Sequence, residues 1–80
     1  MYLYFQNSQG QFSLVSDKIK SMGSVHSVIR KDVFRRNKNF RIYYFREWMG
    51  EDGMWYDVGS HTEFYLLTDK CKDLEKESKS

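Results

Sequence analysis

Apolar positions cluster first at the start of the chain. Tyr2, Leu3, Tyr4 and Phe5 precede a run of turn formers at 7–10, so residues 1–6 read as a strand. Residues 11–22 carry two periods at once. Val15, Ile19 and Met22 follow helical spacing, with Gly23 placed to end a helix, whereas Phe12 and Leu14 alternate as in a strand. A short helix is the expectation for this segment. Residues 25–34 alternate, with Val25, Ile29 and Val33 on one side and His26, Val28, Arg30, Asp32 and Phe34 on the other. A polar loop, RRNKN, follows. Residues 40–49 form the longest aromatic run, GEDG at 50–53 is a turn of hairpin length, and residues 54–59 return. These segments predict a three-stranded antiparallel meander.

The last element opens at Ser60. Ser60 and Glu63 stand three apart, as in a capping box, and Phe64, Leu67, Cys71 and Leu74 then fall on one helical stripe. A helix over 62–75 is expected, with a fourth meander strand over 63–68 as the alternative, because Tyr65 and Leu66 lie off that stripe. The predicted fold is therefore a single small α+β domain over residues 1–76. It has a three- to four-stranded antiparallel sheet, a C-terminal helix packed on one face, and a tail at 77–80.

Register across the GEDG turn decides which side chains share a face. Pairing Met49 with Met54 sets Trp48 opposite Trp55, Arg46 opposite Asp57 and Phe45 opposite Val58. Pairing Phe34 with Phe40 sets Ile29 opposite Phe45. One face then holds Val25, Ile29, Val33, Phe45, Met49, Met54 and Val58, and suits packing under the helix. The other holds His26, Arg30, Phe34, Phe40, Tyr44, Arg46, Trp48 and Trp55. That mixture is consistent with a second small core, built around a Trp48–Trp55 pair and an Arg46–Asp57 ion pair and covered by residues 1–22. It is equally what a surface needs to stack on bases, hold phosphates or anchor a protein partner.

Charge adds a location to this picture. The whole chain carries +2, but residues 30–47 hold seven basic and two acidic residues, a local +5. Such asymmetry bears on partners and not on fold. Arg35, Arg36 and Lys38 sit in the RRNKN loop, where they are placed to contact a phosphate backbone without reading bases. The candidate binding set is Arg30, Arg35, Arg36, Lys38, Arg41, Tyr44, Arg46, Trp48 and Trp55. Its partner is expected to be nucleic acid or a host protein, and a homodimer through the same face is a further option.

Chemistry beyond binding finds little support. Cys71 is the only cysteine, which leaves no intramolecular disulfide and no multi-cysteine metal site; its place on the apolar stripe reads as structural. His61 and Glu63 have the H-x-E spacing of zinc deaminases without the P-C-x-x-C that such a site needs. The acidic residues show no paired spacing, and Gly50, Gly53 and Gly59 belong to a hairpin and its exit. No enzyme activity, cofactor or metal is expected. No apolar run approaches a membrane span and the first residues lack the features of a signal peptide, so a cytoplasmic chain without membrane contact is expected. The residues LYFQ at 3–6 coincide with the centre of a protease site used in expression tags and are read as native.

Three strands followed by a helix, with arginine and tryptophan on the open sheet face, resembles the arrangement in AP2-type plant DNA-binding domains and in integrase arm-binding domains, over residues 25–74. Their small-residue helix and sheet sequence are not found here, so no residue role is carried over. In texture, an aromatic-rich, proline-free chain with one cysteine is similar to small phage-encoded proteins that bind and block host enzymes. The expected function is that of a non-catalytic binding protein, nucleic-acid binding in the first reading and an inhibitor of a host protein in the second.

Overall fold

The structure is a computed structural model that describes residues 1–42 and 45–71. Five strands form one sheet: β1 (Tyr2–Gln6), β2 (Phe12–Ser16), β3 (Arg46–Met49), β4 (Met54–Asp57) and β5 (Phe64–Thr68). A single turn of 3-10 helix at Met22–Ser24 leads into α1 (Val25–Arg36). The strand order is β2-β1-β5-β4-β3, and every pairing is antiparallel. The fold is thus mixed α+β with an antiparallel sheet, as predicted at that level. The strand count and the position of the helix differ from expectation.

Residues 25–34 are helical, not extended. Val25, Ile29 and Val33 are spaced by four, a separation that keeps side chains on one face of a strand and also of a helix. Val28 and Asp32, at i+3 and i+7, complete the helical stripe; Val25, Ile29, Asp32 and Val33 are buried, and Val28 packs against the core. β-branched residues favour strands locally, but burying this stripe on the sheet decides for the helix. Arg35 and Arg36 in the last turn suit the negative end of the helix dipole, and the Asn37 amide closes the end on the Val33 carbonyl at 2.8 Å. The predicted pairings of Phe34 with Phe40 and of Ile29 with Phe45 therefore do not form.

Residues 11–22 contain a strand in place of the expected helix. The alternation of Phe12 and Leu14 outweighs the Val15–Ile19–Met22 spacing because β2 pairs with β1. The expected C-terminal helix over 62–75 is also corrected, since Phe64–Thr68 is a strand flanked by β1 and β4, and residues 72–75 lie outside the described residues. Tyr65, Leu66, Leu67 and Thr68 are all buried, which is how a strand covered on both faces reads. Ser60 does accept the Glu63 amide at 3.1 Å, but that bond closes a turn into β5 instead of a helix. With residues 25–36 helical and 64–68 extended, the resemblance to three-stranded DNA-binding domains does not hold. β1, which contains LYFQ, runs between β2 and β5 with Leu3 and Tyr4 buried.

The core lies between α1 and one face of the sheet. Leu3 and Phe5 of β1, Tyr65 and Leu67 of β5 and Tyr56 of β4 meet Val25, Ile29 and Val33, with Ile19 and Val58 closing the ends. Edge strand β3 is tied to the helix by the contact of His26 Nε2 with the Glu47 carboxylate, and the His26 ring stacks on Phe45 at 4.3 Å between centroids. Tyr65 crosses the core so that its hydroxyl donates to Asp32 Oδ2 at 2.7 Å.

Candidate interaction surface

The strand register builds the other face of the sheet in rows. Leu14 pairs with Tyr4, Tyr4 with Leu66, Leu66 with Trp55 and Trp55 with Trp48, so one apolar row crosses all five strands. At about 4.8 Å between strands the row is about 19 Å long. A second row runs beside it through Phe12, Gln6, Phe64, Asp57 and Arg46. The hairpin register expected from GEDG is present, with Trp48 opposite Trp55 and Arg46 opposite Asp57. The 11° angle and 6.4 Å separation of the two indoles give a stacked cross-strand pair.

Rings lean over the middle of this face. Phe12 on β2 meets Trp55 on β4 at 6.1 Å although β1 and β5 lie between their strands, and Tyr4 meets Phe12 edge-on at 6.3 Å. Tyr4 and Leu66 are consequently buried, while the row ends remain open: Leu14 is 47% exposed and Trp48 37%. Phe64 packs edge-on against Trp48 at 5.8 Å. Among the described residues no helix or strand covers this face.

Among the described residues Arg46 is the one guanidinium placed with these rings, 5.5 Å from the Trp48 ring centroid. It forms no ion pair with Asp57, contrary to expectation. The buried Asp57 carboxylate instead accepts the amides of Gly59 and His61 at 2.9 and 3.3 Å and faces His61 Nδ1 at 2.9 Å. Burial pushes its carboxyl up, and these partners more than reverse that, leaving it below the ordinary carboxylate value.

The remaining basic candidates stand elsewhere. Arg30 is on α1, 5.0 Å from the Phe45 ring centroid and on the opposite side of the sheet from Trp48. Arg35 and Arg36 are not loop residues but the last turn of α1, and both hold Asp32: Arg35 Nη2 donates to Oδ1 at 2.7 Å and Arg36 Nε to Oδ2 at 2.6 Å. Lys38 and Arg41 are exposed beyond the helix end, and Tyr44 lies outside the described residues. Phe34 is exposed on the outer side of the helix and Phe40 packs against the core, so neither joins the aromatic face. Cys71, expected on a buried stripe, is exposed and accepts a long hydrogen bond from the Tyr4 hydroxyl at 3.8 Å.

Leu14, Phe12, Tyr4, Phe64 and Leu66 were absent from the predicted site. Their signal was the alternation at Phe12 and Leu14, legible only once residues 11–16 are read as a strand. The chain matches no protein-family model, no curated protein and no solved structure. No helix among the described residues is long and apolar enough to cross a membrane.

Proposed function

We propose that this is a non-catalytic binding protein whose interface is the open sheet face, and that its partner is another protein. The observation carrying this reading is the row Leu14–Tyr4–Leu66–Trp55–Trp48, apolar from edge to edge. Aromatic residues and a scarcity of charge mark the buried centre of protein interfaces, and tryptophan and arginine are the residues that anchor them. Nucleic acid fits less well on this face, because base-stacking platforms need cations beside the rings to follow the phosphates. Among the described residues Arg46 alone supplies that here. Its guanidinium, free of carboxylates among the described residues, suits a partner acidic group at the rim. Occupying a partner's surface is how such a module blocks an enzyme without chemistry of its own.

The test uses tagged wild-type protein and a Leu14→Ser/Trp48→Ala variant on nuclease-treated lysate. Washing at about 0.5 M salt shortens the Debye length to a few ångström and removes charge-driven contacts. A protein retained by the wild type and lost from the variant, with unchanged far-ultraviolet circular dichroism, supports the reading. Equal retention by both, or loss of the captured material on nuclease treatment, overturns it.

A second reading rests on α1. Arg30, Lys31, Phe34 and Arg35 share its outer side and are all exposed, a stripe suited to a polyanion. This predicts duplex affinity that falls by about 0.9 log units per log unit of salt for each phosphate contacted, with a slope reduced by Lys31→Ala/Arg35→Ala. A salt-independent affinity removes this reading and leaves the sheet-face proposal intact.

A further inference from the structure

A cleft of about 290 Å³ opens on the helix side of the sheet, away from the aromatic row, between the end of α1 and the turn into β5. Its walls are Phe5, Phe40 and Tyr65 with Val33 and Val58, and Ser60 and Glu63 also line it. The charged groups there are of two kinds. Arg36 is already engaged: Nε donates to Asp32 at 2.6 Å, Nη2 reaches Ser13 Oγ at 3.4 Å, and its plane lies over the Phe5 ring at 4.0 Å. Glu63 is held only through its backbone, where the amide donates to Ser60 Oγ and the carbonyl accepts from it. Its half-buried carboxylate has no ion pair or hydrogen bond among the described residues. α1 also ends at this cleft, at Arg36 and Asn37, where Arg35 and Arg36 already complement the negative end of the helix dipole, so Glu63 is the carboxylate left to meet a cation.

A carboxylate without a partner among the described residues, set in a cleft with aromatic walls, favours a positive charge carried on an apolar body, through charge-assisted hydrogen bonding and cation–π attraction. We infer that the cleft binds an organic monocation, an ammonium or guanidinium group on an aryl or alkyl stem, with the charge on Glu63 and the stem against Phe40 and Tyr65. A small free amine or the lysine or arginine side chain of a protein would present this chemistry. The inference is independent of the sheet-face interface.

Amide chemical shifts of the ¹⁵N-labelled full chain test it. The probes are phenethylamine for a free amine, and N-acetyl-lysine methylamide and N-acetyl-arginine methylamide for a side chain, with phenylacetate as the anionic counterpart. At least one cation is expected to give saturable shifts at Phe40, Val58 and Glu63 with a millimolar dissociation constant, while Leu14 and Trp48 stay unmoved. Stronger binding by phenethylamine assigns the site to free amines, and stronger binding by the capped residues assigns it to a protein side chain. Glu63→Gln removes the charge from a group that holds nothing else among the described residues, so the fold persists and affinity drops about tenfold or more. Phe40→Leu weakens binding as well. No saturable response to any of the three cations, an equal response to phenylacetate, or unchanged affinity in Glu63→Gln overturns the assignment.

Discussion

Asp32 places a carboxylate in the core with only 5% of its side chain exposed, and three donors converge on it from Arg35, Arg36 and Tyr65. Burial pushes this carboxyl up, and the bonds from Tyr65, Arg36 and Arg35 together bring it below its ordinary value. The Tyr65 hydroxyl moves the other way, raised by burial and by the Asp32 charge it faces. Asp32→Asn removes the charge that all three donors address, and a loss of about 2–3 kcal/mol in urea unfolding is expected. Arg35→Ala removes a largely exposed arm and is expected to cost less than about 1 kcal/mol, so a similar loss in both variants contradicts this picture. Acid acts on the same group. A carboxyl with a lowered folded-state value stabilises the fold above its unfolded value and loses that contribution as pH falls through the folded one. Asp32 and Asp57 both behave this way, so stability should decline below about pH 4, and less steeply in Asp32→Asn.

The hairpin of β3 and β4 turns on Gly53, whose φ of +145° lies where L side chains are rare. A Cβ there would clash with the Leu67 carbonyl oxygen on β5, with the Leu67 carbonyl carbon and Thr68 Cα at 3.2 Å, so it is backbone and not a flexible side chain that would have to move. Gly53→Ala should therefore cost at least about 2 kcal/mol and lower the melting temperature, whereas an unchanged transition would show the turn to be adaptable. This hairpin was the most legible part of the chain, because a four-residue glycine turn between aromatic runs fixes both strand type and register. β1 was legible for a similar reason. Residues 25–36 were not, since a spacing of four between Val25, Ile29 and Val33 serves either period, and only Val28 and Asp32 separate helix from strand. Residues 64–68 were obscured by burial on both faces, which erases alternation. The stacked tryptophans of the candidate site followed from the hairpin. The rest of its row did not, because Tyr4, Leu14 and Leu66 reach the tryptophans only through the β2-β1-β5-β4 order, which local pattern does not encode.

At the scale of the molecule, one helix covers one side of a five-strand sheet, and the division of residues between the two sides shapes the functional reading. The arginines of residues 30–36 lie on the helix, and the tryptophans lie across the sheet from it with Arg46 beside them. Sequence proximity had joined them into one surface; the helical fold of residues 25–36 parts them, and the partner expected at the rings shifts from a polyanion to a protein. In the proposed interface the Trp48 end of the row meets solvent in the free protein and is covered by the partner. Acrylamide quenching of tryptophan fluorescence, with Trp48→Phe and Trp55→Phe used to isolate each indole, measures this directly. Trp48 should be quenched more readily than Trp55 in the free chain, and quenching of both should fall in the complex with the captured protein. Two indoles shielded to the same extent before and after the partner is added would contradict it.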